Sequence, residues 1–199
     1  MSIYLYEESL INELRKVTKD TRVNIVSPEL TSSFLAQVGK DKNIYPAVLL
    51  MRNSAEIVKE LTSLPTVLKG DTATVKDNLV QKAKFITVRV EWSLNVYAVD
   101  RFTCDEIIRE LLFYFYTYPK FYVQIPYGLD IRQEFDVLLN PDITDNTDLN
   151  GFDDKGELFR ETLTIWSDNV HLFSRGSQYI VNVESEVSED LIRHKHKHK

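Results

Sequence analysis

Cysteine is nearly absent from this chain. Cys104, alone among 199 residues, excludes an intramolecular disulfide and suits a reducing compartment. Histidine is almost as scarce. Three of the four lie in the last six residues, HKHKHK, and only His171 lies elsewhere, which leaves no His pair or His/Cys cluster at zinc-ligand spacing. There is no GxSxG, no glycine-rich phosphate loop and no HExxH. Gly128, Gly151 and Gly156 read as turn glycines. No run of about 18 apolar residues exists, so a helical membrane span is not expected. The opening MSIYLYEES carries acidic residues where a secretory leader needs basic ones. Positive charge is also in deficit, at a formal net charge of -6. The alternating His/Lys end, 194–199, reads as a tag-like tail, and setting aside its three lysines moves the balance from -6 to -9. An acidic chain repels a phosphate backbone, which argues against broad nucleic-acid binding.

What is present is an ordinary globular composition, 43% hydrophobic and 27% charged, in a length that supports one substantial core. The strongest pattern runs from Phe85 to Pro119. Ile86, Val88, Val90, Trp92, Leu94, Val96 and Ala98 alternate with Thr87, Arg89, Glu91, Ser93, Asn95 and Tyr97. Period two with β-branched and aromatic residues predicts a strand with one buried face, roughly 45 Å long at about 3.3 Å per residue. A turn over 99–102 then leads to a helix starting at Thr103, where Thr103 and Glu106 have capping-box spacing. Ile107, Ile108, Leu111, Leu112 and Phe115 form its apolar stripe.

Around this unit the sequence predicts a first helix over Glu7–Lys19 and a short strand over Thr21–Ser27. A second helix is expected with Ser27 as cap, Pro28 in first position, Phe34, Leu35 and Val38 as its apolar side and Gly39 as terminator. Asn43–Met51 reads as a buried strand and Asn53–Leu61 as a brief helix. Thr62–Gln81, with a turn signal at Lys69-Gly70-Asp71, reads as an excursion or hairpin leaving the body. Phe121–Pro126, Gln133–Leu139, Leu158–Trp166 and Tyr179–Val183 are further strand candidates. An acidic loop is expected over Pro141–Glu157, and a frayed tail over Ser188–His194. The expected fold class is α+β: a mixed, mostly antiparallel sheet with a long central strand and two or three helices packed on it. Residues 1–193 form a single domain in this reading, with excursions at 62–84 and 140–157.

Catalytic chemistry finds little support. A Cys104–His171 pair would place a thiol in the first turn of a helix, where a thiolate is favoured, but a small residue at a helix start is the plainer reading. Glu91, Asp100, Glu134 and Asp136 lie on strands or strand ends without the spacing of a magnesium site. Asn146–Glu157 can be laid on the calcium-loop template, with Asn146, Asp148 and Asn150 at the first, third and fifth places, Gly151 at the sixth and Glu157 at the twelfth. Asn in first place, Asp153 at the eighth and flanks that are not helices favour an acidic solvated loop instead. No cofactor is expected.

Aromatics carry more information. Phe113, Tyr114, Phe115, Tyr116, Tyr118, Phe121, Tyr122 and Tyr127 fall within fifteen residues, too many for one helical stripe. Phe115 and Phe121 are assigned to the core, and Tyr114, Tyr116, Tyr118 and Tyr122 to the surface, where tyrosine is typical of protein contacts.

The order of elements resembles the tail terminator and tail-completion proteins of tailed bacteriophages. The resemblance is carried by the amphipathic opening helix Glu7–Lys19 and the run Tyr45-Pro46-Ala47-Val48-Leu49-Leu50. It continues in the long alternating strand leading into a capped helix over Phe85–Tyr118, and in the closing strand Phe159-Arg160-Glu161-Thr162-Leu163-Thr164-Ile165. It implies a non-enzymatic virion component, assembled in the host cytoplasm, that forms a homo-oligomeric ring, commonly a hexamer. Such a ring sits at the end of the tail tube or sheath, faces the neck or head connector, and lets DNA pass without specific binding. No membrane contact is implied. In that setting subunit contacts are expected from Arg89, Glu91 and Tyr97 on the strand's second face and from Tyr114, Tyr116, Tyr118 and Tyr122. The alternatives are a calcium-stabilised protein-binding module, another baseplate or neck component, a host protein docking one partner through its tyrosines and, behind these, a metal-dependent enzyme.

Overall fold

The alternating stretch forms the strand on which the molecule is built. In the computed structural model, which describes residues 3–18, 22–38, 40–58, 70–76, 79–125, 131–145, 158–173 and 179–182, this strand runs from Leu79 to Ala98. In chain order the elements are helix α1 (Tyr4–Val17), strand β1 (Asn24–Val26), helix α2 (Thr31–Gln37), and strands β2 (Ala47–Ile57), β3 (Gly70–Lys76) and β4 (Leu79–Ala98). Helix α3 (Arg101–Thr117) follows, then β5 (Lys120–Ile125), β6 (Ile131–Asp136), β7 (Leu138–Asp145), β8 (Phe159–Phe173) and β9 (Tyr179–Asn182). The main sheet is ordered β1-β2-β4-β8-β7, with β3 and β9 also paired to β4, while β5 and β6 form a separate two-stranded ribbon. Among the described residues only β1 and β2 pair in parallel. The fold is therefore α+β with a mixed, mostly antiparallel sheet and a long central strand, as the periodicity indicates.

One face of the sheet packs on α1, α3 and the ribbon. Val88, Val90, Trp92, Leu94, Val96 and Ala98 of β4 join Tyr6, Leu10 and Leu14 of α1, Ile107, Leu111 and Phe115 of α3, and Phe121, Val123 and Phe135 of the ribbon in one core. Ile86, expected on this face, is exposed. A second, smaller core lies on the other face, where Phe34 of α2 packs with Val26, Ala47, Leu49, Tyr97 and Leu158.

Several boundaries differ from the sequence reading for tertiary reasons. Residues 53–57 continue β2 rather than forming a helix, because they pair with β4 from Glu91 to Val88 across a bulge at Arg52/Ser54. The cap of α3 is Asp100, whose Oδ1 accepts a hydrogen bond from the Thr103 amide at 2.8 Å, so the helix begins at Arg101, two residues before the expected start. Ser27 makes no capping bond; Pro28–Leu30 form a 3-10 turn that precedes α2, and Leu35 is exposed. Gly70 and Asp71 belong to β3 rather than to a turn. Residues 138–145 pair with β8 as β7, so the first part of the expected acidic loop is a strand. Strand β8 extends to Phe173, beyond the expected Trp166.

Both outer strands of β4 are interrupted in line. β2 and β8 flank β4 from Val88 to Ala98, β3 and β8 meet it on opposite edges at Phe85, and β3 and β9 flank Leu79–Lys82. Thus β3 prolongs the line of β2, and β9 prolongs that of β8. The result is a three-stranded arm. β4 alone spans about 60 Å at 3.3 Å per residue, against roughly 42 Å for the diameter of a compact sphere of this chain length.

Candidate interaction surfaces

The structure separates the predicted contact residues onto opposite faces of the sheet. Tyr114, Tyr116, Tyr118 and Tyr122 lie on the side of α3 and the ribbon, whereas Arg89, Glu91 and Tyr97 project from the other face of β4.

On the first side the stripe Ile107, Ile108, Leu111 and Phe115 faces the sheet and turns the remaining helix positions outward. Tyr116 is 83% exposed, Tyr118 is exposed and Tyr122 is partly so. Phe113, 67% exposed, and Phe102 also lie open, although both had no place among the expected contacts. Spacings of seven, four and three from Phe102 through Arg109 to Phe113 and Tyr116 place them along one outer stripe. The signal was available in the sequence, because each falls off the buried heptad-like stripe. Tyr114 differs from its neighbours. It is half-buried, its hydroxyl donates to Glu13 Oε2 at 2.8 Å, and its ring meets Tyr118 at 5.5 Å and Phe115 at 5.8 Å. Burial first, then the bond to Glu13, holds its phenol protonated well above the ordinary range. Tyr114 thus ties α3 to α1 rather than standing free as a contact. Tyr122 supports the Arg132 guanidinium over its ring at 3.9 Å.

On the second side Tyr97 is 2% exposed and packs against Phe34 at 5.4 Å, so it belongs to the second core and not to an interface. The expectation failed because Phe34 of α2 packs on Tyr97 and the polar-looking face of β4 is buried from Ser93 to Tyr97. There Ser93 donates to Asn53 Oδ1 at 3.0 Å, while Thr162 Oγ1 and Arg160 Nη2 both donate to Asn95 Oδ1 at 2.9 Å. Arg89 and Glu91 do remain accessible. Arg89 is engaged within the chain, with Nη2 donating to Asp168 Oδ2 at 3.0 Å, Nε donating to Oδ1, and the guanidinium 4.9 Å from the Trp166 ring centroid. Glu91 Oε1 accepts from Asn53 Nδ2 at 3.0 Å. Together with Leu139, Asn140, Thr164 and Trp166 they line an open depression of about 430 Å³.

The candidate chemical groups do not converge. Cys104 is fully buried, and burial, followed by the nearby Glu161 and Asp105 carboxylates, pushes its thiol up to about 12. A thiolate is therefore disfavoured, contrary to the helix-start argument, since desolvation outweighs the dipole. Cys104 lies beside the Val96 carbonyl, while His171 pairs with Thr87, nine residues away along β4. That separation is about 30 Å, so the two form no pair. Asp100 caps α3, Glu134 accepts from Lys120 Nζ at 2.6 Å, and the Asp136 amide donates to Asn169 Oδ1 at 2.9 Å. Among the described residues no group of three or more His, Cys, Asp or Glu is arranged to hold a metal ion. Asn146, Asp148, Asn150, Gly151 and Glu157 lie outside the described residues. No family model matches the chain, and no curated protein matches it.

Proposed function

We propose that this chain is an assembly subunit of a tailed-phage virion, a tail terminator or completion protein. It forms a ring, most simply a hexamer, at the end of the tail tube and joins it to the neck or head connector. DNA passes through the ring without specific binding, and the chain acts by occupying a place rather than by catalysis.

The observation that carries this reading is the arm. A globular monomer has no use for a strand of about 60 Å whose first third, Leu79–Lys84, pairs with β3 and β9 instead of β2 and β8. Subunits that must touch neighbours do. The exposed aromatic stripe Phe102, Phe113 and Tyr116 supports the same reading, because large rings left in water on one helix face mark protein contacts. The resemblance of the element order to that of tail terminators favours this particular assembly.

Negative-stain electron microscopy of the purified chain, alone and mixed with tail tubes, tests it. Rings in solution, or single collars at one end of each tube, are the expected result. A monomer by light scattering at every concentration, together with tubes whose ends stay bare, would overturn it.

A further inference from the structure

Strands β3 and β9 both pair with Leu79–Lys82 of β4, and a strand has only two edges, so they flank it on opposite sides. Each has β4 as its strand partner and, among the described residues, no strand on its outer side. Among the described residues the arm therefore ends in two unpaired strand edges, each a row of backbone donors and acceptors that an extended chain can complete. Resting on the ring reading above, we propose that these two edges pair with each other between copies, β9 of one subunit beside β3 of the next, so that the arms close the ring as a continuous sheet.

Three features select a second copy as the occupant. The edges are level: through β4, Val75 and Val181 flank Val80, Thr74 and Ile180 flank Gln81, and Ala73 and Tyr179 flank Lys82. Two copies side by side thus meet without a shift along the strand. Both strands run antiparallel to β4 and hence parallel to each other, which is the relation that subunits sharing one direction around a ring require. One β3–β9 contact also satisfies both edges of every copy and closes as a heterologous interface. A two-fold β3–β3 contact satisfies one edge and leaves β9 bare.

Cysteine cross-linking of the full chain tests the contact. Adjacent strands sit about 4.8 Å apart, inside the span of about 4.4–6.8 Å between the Cα atoms of a disulfide. The buried Cys104 adds no background. The double variant Val75→Cys/Val181→Cys, mildly oxidised after assembly, is expected to run as a ladder of covalent multimers on a non-reducing gel. Each single variant should stay monomeric. The pair Ala73→Cys/Tyr179→Cys, at the neighbouring level, serves if the first variant loses its native circular dichroism. Rings seen by electron microscopy without a ladder from either pair overturn the inference while leaving the ring intact. Dimers from Val75→Cys alone overturn it in favour of two-fold pairing. Absence of both rings and ladder, with tail tubes present, removes the ring reading and this contact with it.

Discussion

Replacing Tyr6 with phenylalanine isolates one hydroxyl that holds three elements together. Tyr6 of α1 is fully buried, and its Oη accepts from the His171 amide of β8 at 2.9 Å. Its single proton is shared between two acceptors, the His171 carbonyl at 2.8 Å and Gln133 Oε1 on β6. The ring itself meets Phe135 edge-on at 5.0 Å, a contact that phenylalanine keeps. Removing the oxygen therefore leaves packing in place and strands a buried amide and a buried acceptor. Stranded groups cost about 1–3 kcal/mol each, less where a carbonyl retains a second partner, so the variant should lose about 2–3 kcal/mol. For a chain of this size each kcal/mol lowers Tm by roughly 2–4 °C, which gives a fall of about 4–12 °C in a melt followed by far-ultraviolet circular dichroism. Tyr116→Phe removes an equivalent hydroxyl from an exposed position and should shift the melt by under about 0.5 kcal/mol. Hydrogen exchange should quicken around residues 169–172, at the root of the arm. Equal melts for the Tyr6 and Tyr116 variants would refute the assignment of Tyr6 as the tie between α1, the ribbon and the sheet.

Three further outcomes are expected. Asp100→Ala should cost about 1 kcal/mol by loss of the α3 cap, whereas Thr103→Ala should leave the chemical denaturation midpoint close to that of the parent; the reverse order would restore the capping box. Burial, then the adjacent Asp105 to which it is hydrogen-bonded, raises the Glu161 carboxyl above its ordinary value of 4.5. The folded state then binds more protons than the unfolded state above that value, so Glu161 makes stability fall as pH rises from 4.5 through its folded pKa. Glu161→Gln should flatten that fall, and an unchanged pH profile of unfolding would show that the pair is not linked to folding. Tyr116→Ala with Phe113→Ala should leave the monomer melt unchanged yet weaken ring formation or tail-end docking by about 30-fold, on the order of 2 kcal/mol for an aromatic contact centre; undiminished assembly in sedimentation would remove the stripe from the interface.

The parts legible in the sequence were those set by local pattern. Period two over β4 and period 3.6 over α3 sufficed for the central strand, its helix and the core of Trp92, Leu111 and Phe115, because each pattern states which side is apolar. Pattern does not state whether the polar side is bare. Ser93, Asn95 and Tyr97 look like solvent-facing residues, yet Phe34 of the helix after β1 packs on Tyr97, and the polar atoms of Ser93 and Asn95 are satisfied by Asn53, Arg160 and Thr162, 40, 65 and 67 residues away from their partners. Residues 53–57 likewise lack strand character by themselves and become a strand only through β4. Tyr114 and Tyr116 show the same limit at the candidate surface. Both are tyrosines two positions apart on one helix, and only the approach of α1, bringing Glu13, distinguishes a structural tie from a free ring.

In the proposed ring, the division of exposed groups between two faces bears on how copies would be arranged. A two-fold contact uses one patch twice, so the Tyr116 stripe and the Arg89–Trp166 depression, on opposite sides of the sheet, would need two independent dimer interfaces. A head-to-tail contact uses two different patches once each. Arg89 favours the second arrangement on energetic grounds as well. Its pairing with Asp168 and its stacking on Trp166 hold a planar cation in place, and because both partners of the ion pair are about half-exposed the pair adds little stability. A side chain fixed at small cost to the fold is preorganised for a neighbour, since less rotamer entropy remains to be lost on docking. The same logic places Tyr122, stacked under Arg132, on the opposite side. Each face thus offers a braced cation–aromatic pair beside an open surface, and the arm at one end of β4 offers two unlike edges. In the proposed ring these groups would serve an interface that is given on one side and received on the other.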